Sequence, residues 1–499
     1  MAHARLASLL VLFCLVAGTA LAPGVSAQPA AELTELSAVE AAKRIRAGSL
    51  TSEALVAVLA DVIDKKKDLN AFITWDRPAA LRAARAADAE AATGVFRGPL
   101  HGVPLVIKDN VHVAGMPNTA GTPALKGFMP KANAPVADRL IKAGAIVLGK
   151  NNMHELAFGI TNNNAAFGPA RNAYDRARIP GGSSGGTGNA IAARMAPAGI
   201  GSDTGGSVRI PAALNGIAGL RPTLKRYSQE GITPIAHTRD TAGPMARTVE
   251  DLVLLDTVIT GAKDAVRPAA LSGLRLGVYR AYFFKNLDPE TARVTEAALE
   301  KLRGAGAEIV EVDMPGLADL NGKVSFPVAL YEANVDLGTY LAKYRTGLDV
   351  ATVAAQVASP DVKGVFTTMI LPGAKNAVPE AGYKAALATR PALQKVYADA
   401  FAKQRVVAIV FPTTLLPAAP IGDDETTKLN GADVPTFPTF IQNTDPGSNA
   451  GVPGLTVPVG RTAAGLPVGL ALDGPTGSDR RLLGIGLALE QLFGRLPAP

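Results

Sequence analysis

The chain has almost no cysteine. Its single one, Cys14, falls in the first apolar stretch, so no disulfide framework and no cysteine-based metal centre can form. Removal of that stretch would also leave no thiol nucleophile. Histidine is scarce, and none of His101, His112, His154 and His237 stands in an obvious Ser-His-Asp context. No His/Asp/Glu cluster shows metal-ligand spacing, which predicts neither metal nor cofactor. Basic runs are missing apart from Lys65-Lys66-Lys67, which Asp64 and Asp68 bracket. That pattern is a solvated helix end, not a nucleic-acid patch. Long apolar runs are missing beyond the first residues. With 48% apolar and 19% charged residues and a net charge of +7, the 499-residue chain is globular in composition.

The first residues carry a leader. Arg5 supplies a positive start, residues 6–22 are apolar, Pro23 breaks the run, and Val25-Ser26-Ala27 is a small-residue cleavage site. This predicts a signal peptide over 1–27 and export to the periplasm or the medium. The alternative is retention of the run as an anchor, slightly short of the roughly 20 residues that a span needs. Residues 28–499 then form one domain: N-terminal helices over 28–95, a chemically rich core over 96–250, a variable helical region over 260–395, and the rest of the core over 396–499.

Ser37-x-x-Glu40 is a capping box, with Gly48 as a stop. SEALVAVLADVIDKK has helical apolar spacing, and Leu81 to Ala92 is a third helix. GVPLVIKDN is a buried strand with polar residues at its C-terminal end. APVADRLIKAGAIVLGKNN reads as helix, glycine stop, buried strand. DPETARVTEAALEKLRGAGAEIVEVD repeats that grammar, with Asp288 as N-cap and Gly304 as the stop. VVAIVFPTT, GVPGLTVPVG and LPVGLALDG are further strands, and DRRLLGIGLALEQLFG is a closing amphipathic helix. Helices alternating with strands predict an α/β fold, a central twisted mixed β-sheet flanked by helices on both faces.

Two motifs mislead. Asp203-Thr204-Gly205 spells the D-T-G of an aspartic protease, but that chemistry needs a second such carboxylate, and no second D-T-G or D-S-G exists. PGGSSGGTGNA suggests a phosphate loop, but no P-loop lysine follows, and Ile191 stands where a dinucleotide fingerprint needs its third glycine.

Three segments remain: HGVPLVIKDN with Lys108, PGGSSGG with Ser183, and GSDTGGSVR with Ser207. In this order and at this spacing they resemble the amidase signature family, in detail over 95–250 and more loosely over nearly all of the mature chain. The resemblance implies Ser207 as nucleophile, Ser183 as a bridging serine after a cis peptide bond from Gly182, and Lys108 as base. It implies an oxyanion hole from the amides around Thr204, Gly205 and Gly206. The residue types suit these roles. A serine hydroxyl needs a base, and a lysine serves only when burial depresses its pKa. Around the site, Asp203 is expected to bond loop amides or Arg209, Arg209 to brace the loop, and Ser184 to hydrogen-bond locally. Asp240 and Arg247 are expected beneath the site, His154 as a satisfied polar residue, and Thr161, Asn162 and Asn163 in the pocket wall.

GMPNTAGTPAL, NMHELAFGITNNNAAFGPARN and GLRPTLKRYSQEGITPIAHTRDT resemble the indoleacetamide and mandelamide hydrolase branch, which implies small aryl-acetamides as substrates. Three alternatives stay open: an exported peptide amidase or cyclic-amide hydrolase, an amidotransferase subunit, and a binding protein on an inactive fold. The partner implied is a small amide, with no nucleic acid and no span after leader cleavage, in a monomer or homodimer. Leu224-Lys225 and Asn215 depart from the residues that many relatives carry, glycine after the threonine and cysteine.

Overall fold

The computed structural model describes residues 29–499, and the leader predicted over 1–27 lies outside the described residues. The strands are β1 (Phe72–Trp75), β2 (Pro104–Lys108), β3 (Ile146–Asn151), β4 (Ala198–Asp203), β5 (Ala218–Arg221), β6 (Thr241–Ala246), β7 (Arg275–Val278), β8 (Glu308–Glu311), β9 (Ala408–Pro412), β10 (Thr426–Leu429), β11 (Ala432–Pro435), β12 (Gly454–Arg461) and β13 (Pro467–Asp473). Eleven of them form one sheet in the order β1-β3-β2-β4-β6-β5-β12-β13-β9-β7-β8, and β10 and β11 form a separate hairpin. The sheet is mixed. β3, β2 and β4 run parallel, β4 through β9 pair antiparallel, and β9, β7 and β8 run parallel again. Helices flank it. No helix among the described residues is long and apolar enough to cross a membrane.

The parallel pairing of β2 with β4 positions the site. Both strands are fully buried and consist largely of short apolar residues and glycine. Because they run the same way, their C-terminal residues, Lys108 on one and Ser202 and Asp203 on the other, emerge at one edge of the sheet. The helix Gly185–Ala192 is buried along its whole length and packs against β2, β4 and β6. Its glycines permit that approach. A Cβ on Gly186 would run into the backbone of Asn152, and one on Gly185 would lie 2.7 Å from Asn162 Oδ1. The glycine-rich segment is therefore a close-packing device.

The capping box on Ser37 and Glu40 forms, and that helix ends at Arg46 with Gly48 at φ +71° beyond it. The third helix begins earlier than expected, at Arg77, because Asp76 caps it. The helix from Pro289 runs through Gly304, and the left-handed residue is Gly306. β8 was expected to be buried. It is the sheet's edge instead, with Glu308 and Glu311 exposed. The 260–395 region is not purely helical, since it contributes β7 and β8 to the core sheet.

Gly186→Ala is expected to cost about 1–3 kcal/mol through overpacking against fixed backbone. Gly304→Ala, in a helix with nothing near its Cβ position, is expected to gain up to about 1 kcal/mol. Urea unfolding midpoints check both, and equal effects would contradict the packing explanation.

Candidate active site

Lys108 ends β2 with no exposed surface. Its Nζ lies 2.7 Å from Ser183 Oγ and 2.9 Å from Ser202 Oγ. Burial pulls the amine down to about 7, against the weaker opposing pull of Asp203 and Asp240. Ser202 also accepts a bond from Asn110 Nδ2 at 3.0 Å. Ser183 sits at the mouth of the buried helix, and the Gly182–Ser183 peptide is cis. Its neighbour Ser184 donates its amide to the Ser207 carbonyl at 3.2 Å, which ties the two serine loops together. The Ser184 hydroxyl bonds Ser202 locally.

Ser207 follows β4 and leads into the helix Arg209–Leu214. Asp203 anchors this loop. Its carboxylate accepts the Val208 amide at 3.1 Å, Arg209 Nε at 3.1 Å and Arg221 Nη1 at 2.9 Å. All three side chains are fully buried. Burial raises the Asp203 carboxyl, but the two guanidiniums outweigh it and hold the group well below the usual carboxylate range. Arg209 reaches on to Ser448 Oγ at 2.7 Å. The D-T-G carboxylate is thus saturated with cations and unavailable for acid–base work.

Thr204 donates its hydroxyl to Asp240 at 2.7 Å. Asp240 is pushed up to about 6 by burial, against its bonds from Thr204, Ile235 and Ala236. The Gly205 carbonyl accepts Thr444 Oγ1 at 2.7 Å. A Cβ on Gly206, where φ is +152°, would collide with that same hydroxyl. The Gly205–Gly206 peptide is therefore clamped from outside, and only glycine fits there.

Thr204, Gly205 and Ser207 line a cavity of about 280 Å3. Its walls are mainly apolar, including Phe158, Phe326, Leu330, Met369, Phe437 and Ile441. Thr161, Asn162 and Asn163 do not line it. Thr161 Oγ1 and Asn163 Nδ2 both donate to Asp424 Oδ1, at 2.6 and 2.8 Å, and Asp424 forms the wall. Asn162 turns inward at φ +60° to accept the Gly185 amide. These polar side chains had backbone and carboxylate partners closer than any ligand. Buried His154 is bonded to Asp361 at 2.9 Å. Arg247 is not beneath the site: it caps the Ala196 and Leu36 carbonyls at the opposite end of β4. The fold also gathers His237, Glu332 and Asp336 to within 4.8 Å, a cluster that spacing in sequence did not reveal. These carboxylates accept the amides of His237 and Thr238, which fastens that loop to the helix Leu317–Lys343.

Sequence reasoning missed Ser202, Asn110, Arg221 and Thr444. Ser202 was legible as the residue before Asp203 at a strand end. Thr444 had no local signal, because its partner is more than two hundred residues away. Asn215 uses its amide to hold the Pro180 carbonyl at 2.6 Å, just before the glycine pair that leads to Ser183.

A family model described as Amidase matches residues 53–483. The chain is 44% identical to a mandelamide hydrolase of Pseudomonas putida, over 95% of this chain and 94% of that protein. It is 43% identical to an indoleacetamide hydrolase of Agrobacterium vitis, over 90% of this chain and 95% of that protein. Among solved structures, the native peptide amidase of Stenotrophomonas maltophilia superposes with a TM-score of 0.79 at 31% identity, covering 93% of this chain and 98% of that one.

Proposed function

The chain belongs to the amidase family of amide hydrolases, and on that premise we propose that it cleaves small aryl-substituted primary amides through an acyl-enzyme on Ser207. The observation that carries this reading is the buried contact of 2.7 Å between Lys108 and Ser183, beside a cavity that Ser207 lines.

Burial lowers the Lys108 amine to about 7, so near neutral pH far more of it is in the neutral form than for an ordinary lysine. The neutral amine gives an N–H to Ser202, which leaves its lone pair for the Ser183 hydroxyl. Ser207 Oγ attacks the amide carbon, its proton passes to Ser183 Oγ, and the Ser183 proton passes to Lys108 Nζ. The amides of the Thr204–Ser207 loop receive the oxyanion, each such donor being worth roughly 3–4 kcal/mol of barrier. As the tetrahedral adduct collapses, the proton returns through Ser183 to the leaving nitrogen, and ammonia departs. Water then attacks the ester through the same relay. The carboxylic acid leaves and Ser207 is restored.

The aromatic side chains of the cavity, with the mandelamide and indoleacetamide hydrolases as relatives, support an aryl acyl group. A second reading, cleavage of peptide amides, is supported by the likeness to the peptide amidase. Ammonia release from phenylacetamide, mandelamide and indole-3-acetamide, set beside amino-acid and peptide amides with Ser207→Ala as blank, separates the two. The aryl-acetamides are expected to lead by at least tenfold in kcat/KM, and Ser207→Ala to be silent on all of them. A lead for peptide amides would replace the first reading with the second.

The base must be neutral to act, so kcat/KM is expected to rise with pH through an apparent pKa near 7. Ionised Asp240 holds the Lys108 amine up and so opposes, without reversing, the lowering by burial. Lys108→Ala should lose about 10²–10⁴-fold and flatten the profile. A wild-type rate level from pH 5 to 9 would remove lysine as the base.

Export is also part of the proposal and rests on the leader-like residues 1–27. A mature N-terminus at Gln28 on protein purified from the periplasm is the expected result. An uncleaved leader would overturn cleavage, and recovery of the protein only from the cytoplasm would overturn export.

A further inference from the structure

Asp361 and Asp424, from different chain segments, stand in the wall of the mainly apolar cavity that Ser207 lines, together with the ion-paired Arg239 and Asp445. Both also line a second hollow, with Asn163, Pro360 and Thr426, which Ser207, Thr204 and Gly205 do not touch. The two carboxylates therefore stand where the catalytic cavity adjoins a hollow that Ser207 does not line.

Among the described residues, neither carboxylate is paired with a lysine or arginine. Asp361 is bonded by His154 Nε2 at 2.9 Å. Asp424 receives Thr161 and Asn163 on the same oxygen, Oδ1, which leaves Oδ2 without a bond from the protein. The guanidinium that lines the cavity, Arg239, is bound to Asp445 at 2.5 Å beside Gly205. The second hollow adds Asp423 and Glu425 and no cation. Asp423 accepts the Thr427 hydroxyl at 2.9 Å. The sign of this wall is opposite to the net charge of the chain, +7.

An apolar wall strengthens the field of a carboxylate that no cation neutralises, and a ligand cation placed there recovers that energy. Resting on the amidase reading above, we propose that Asp361 and Asp424 make this cavity selective for amides whose acyl part is apolar next to the carbonyl and carries an ammonium group at its far end. The same wall repels acyl groups that end in a carboxylate. His154, Thr161 and Asn163 are positioning residues that hold the two side chains in the wall.

The test compares 4-(aminomethyl)phenylacetamide, phenylacetamide and 4-carboxyphenylacetamide on the whole enzyme at pH 7.5. The cationic amide is expected to exceed the anionic one by about 30-fold or more in kcat/KM, the advantage shrinking as salt rises. In Asp361→Asn/Asp424→Asn the ratio is expected to fall to within about threefold of unity, whatever the absolute rate. Inhibition of the wild type needs no variant: benzylamine should compete better than benzoate. A ratio near unity in the wild type, or one that survives the double substitution, would overturn the proposal. If phenylacetamide is not hydrolysed at all, the aryl reading fails instead. The charge ratio is then read on ammonium and carboxylate forms of whichever amide the enzyme accepts.

Discussion

A lysine amine buried without an anion in contact is the constraint on which the rest of the site depends. Lys108 is held by hydroxyls alone, from Ser183 and Ser202. Had a carboxylate touched it, the amine would stay protonated and could not serve as a base. Asp203 ends the neighbouring strand and would be that carboxylate, but Arg209 and Arg221 neutralise it on the far side of the loop. The loop of Ser207 is tied to the same carboxylate through the Val208 amide. One arrangement thus directs the Asp203 charge to two guanidiniums instead of the amine and fixes the loop that carries Ser207.

Lys150, one strand away, shows the contrast. It is equally buried, near the end of β3, and burial lowers its pKa as well. Its amine, however, lies 3.5 Å from Asp109 and 3.2 Å from the acceptors Pro117 O and Asn118 Oδ1. Acceptor-only surroundings favour the ammonium form, so Lys150 is a structural ion-pair partner. In the sequence the two lysines look alike: both end apolar runs, in VIKDN and LGKNN. Local pattern alone does not separate them. Their neighbours across the sheet do, and it was family resemblance that singled out Lys108.

The same limit explains what was legible and what was not. Capped helices and buried strands are short-range features, and Ser37 and Asp288 mark their boundaries by bonds to residues two or three positions on, a signal that Asp76 also carries and that was not read there. The resemblance pointed to Lys108, Ser183 and Ser207 because their segments carry compact signals, and the fold sets Lys108 against Ser183 and Ser207 in the cavity wall. The glycine-rich loop gave the wrong chemistry but the right location, since the need for close packing and the need for phosphate binding both select glycine. Thr161 and Asn163 were read one contact too early: they reach Asp424, and Asp424 reaches the cavity. Segments far apart in sequence, joined only by the fold, build the cavity wall, and no local pattern announces Phe326, Asp424 and Phe437 as neighbours.

This division has a physical consequence. The reacting groups sit on strand ends and on a loop fastened by fully buried charges, where removing one partner of such a network costs about 3–5 kcal/mol. That part of the molecule has little freedom to vary. The cavity wall comes largely from the helix Leu317–Lys343, the 360–370 segment and the 424–441 segment, where many lining side chains are only partly buried. Changing Phe326, Leu330 or Met369 alters the shape of the cavity without touching Asp203, Arg209 or Arg221. The buried charge network and the cavity wall are therefore carried by different layers of the fold, so the shape of the cavity can vary while the strand-end arrangement of Lys108, Ser202 and Asp203 is kept.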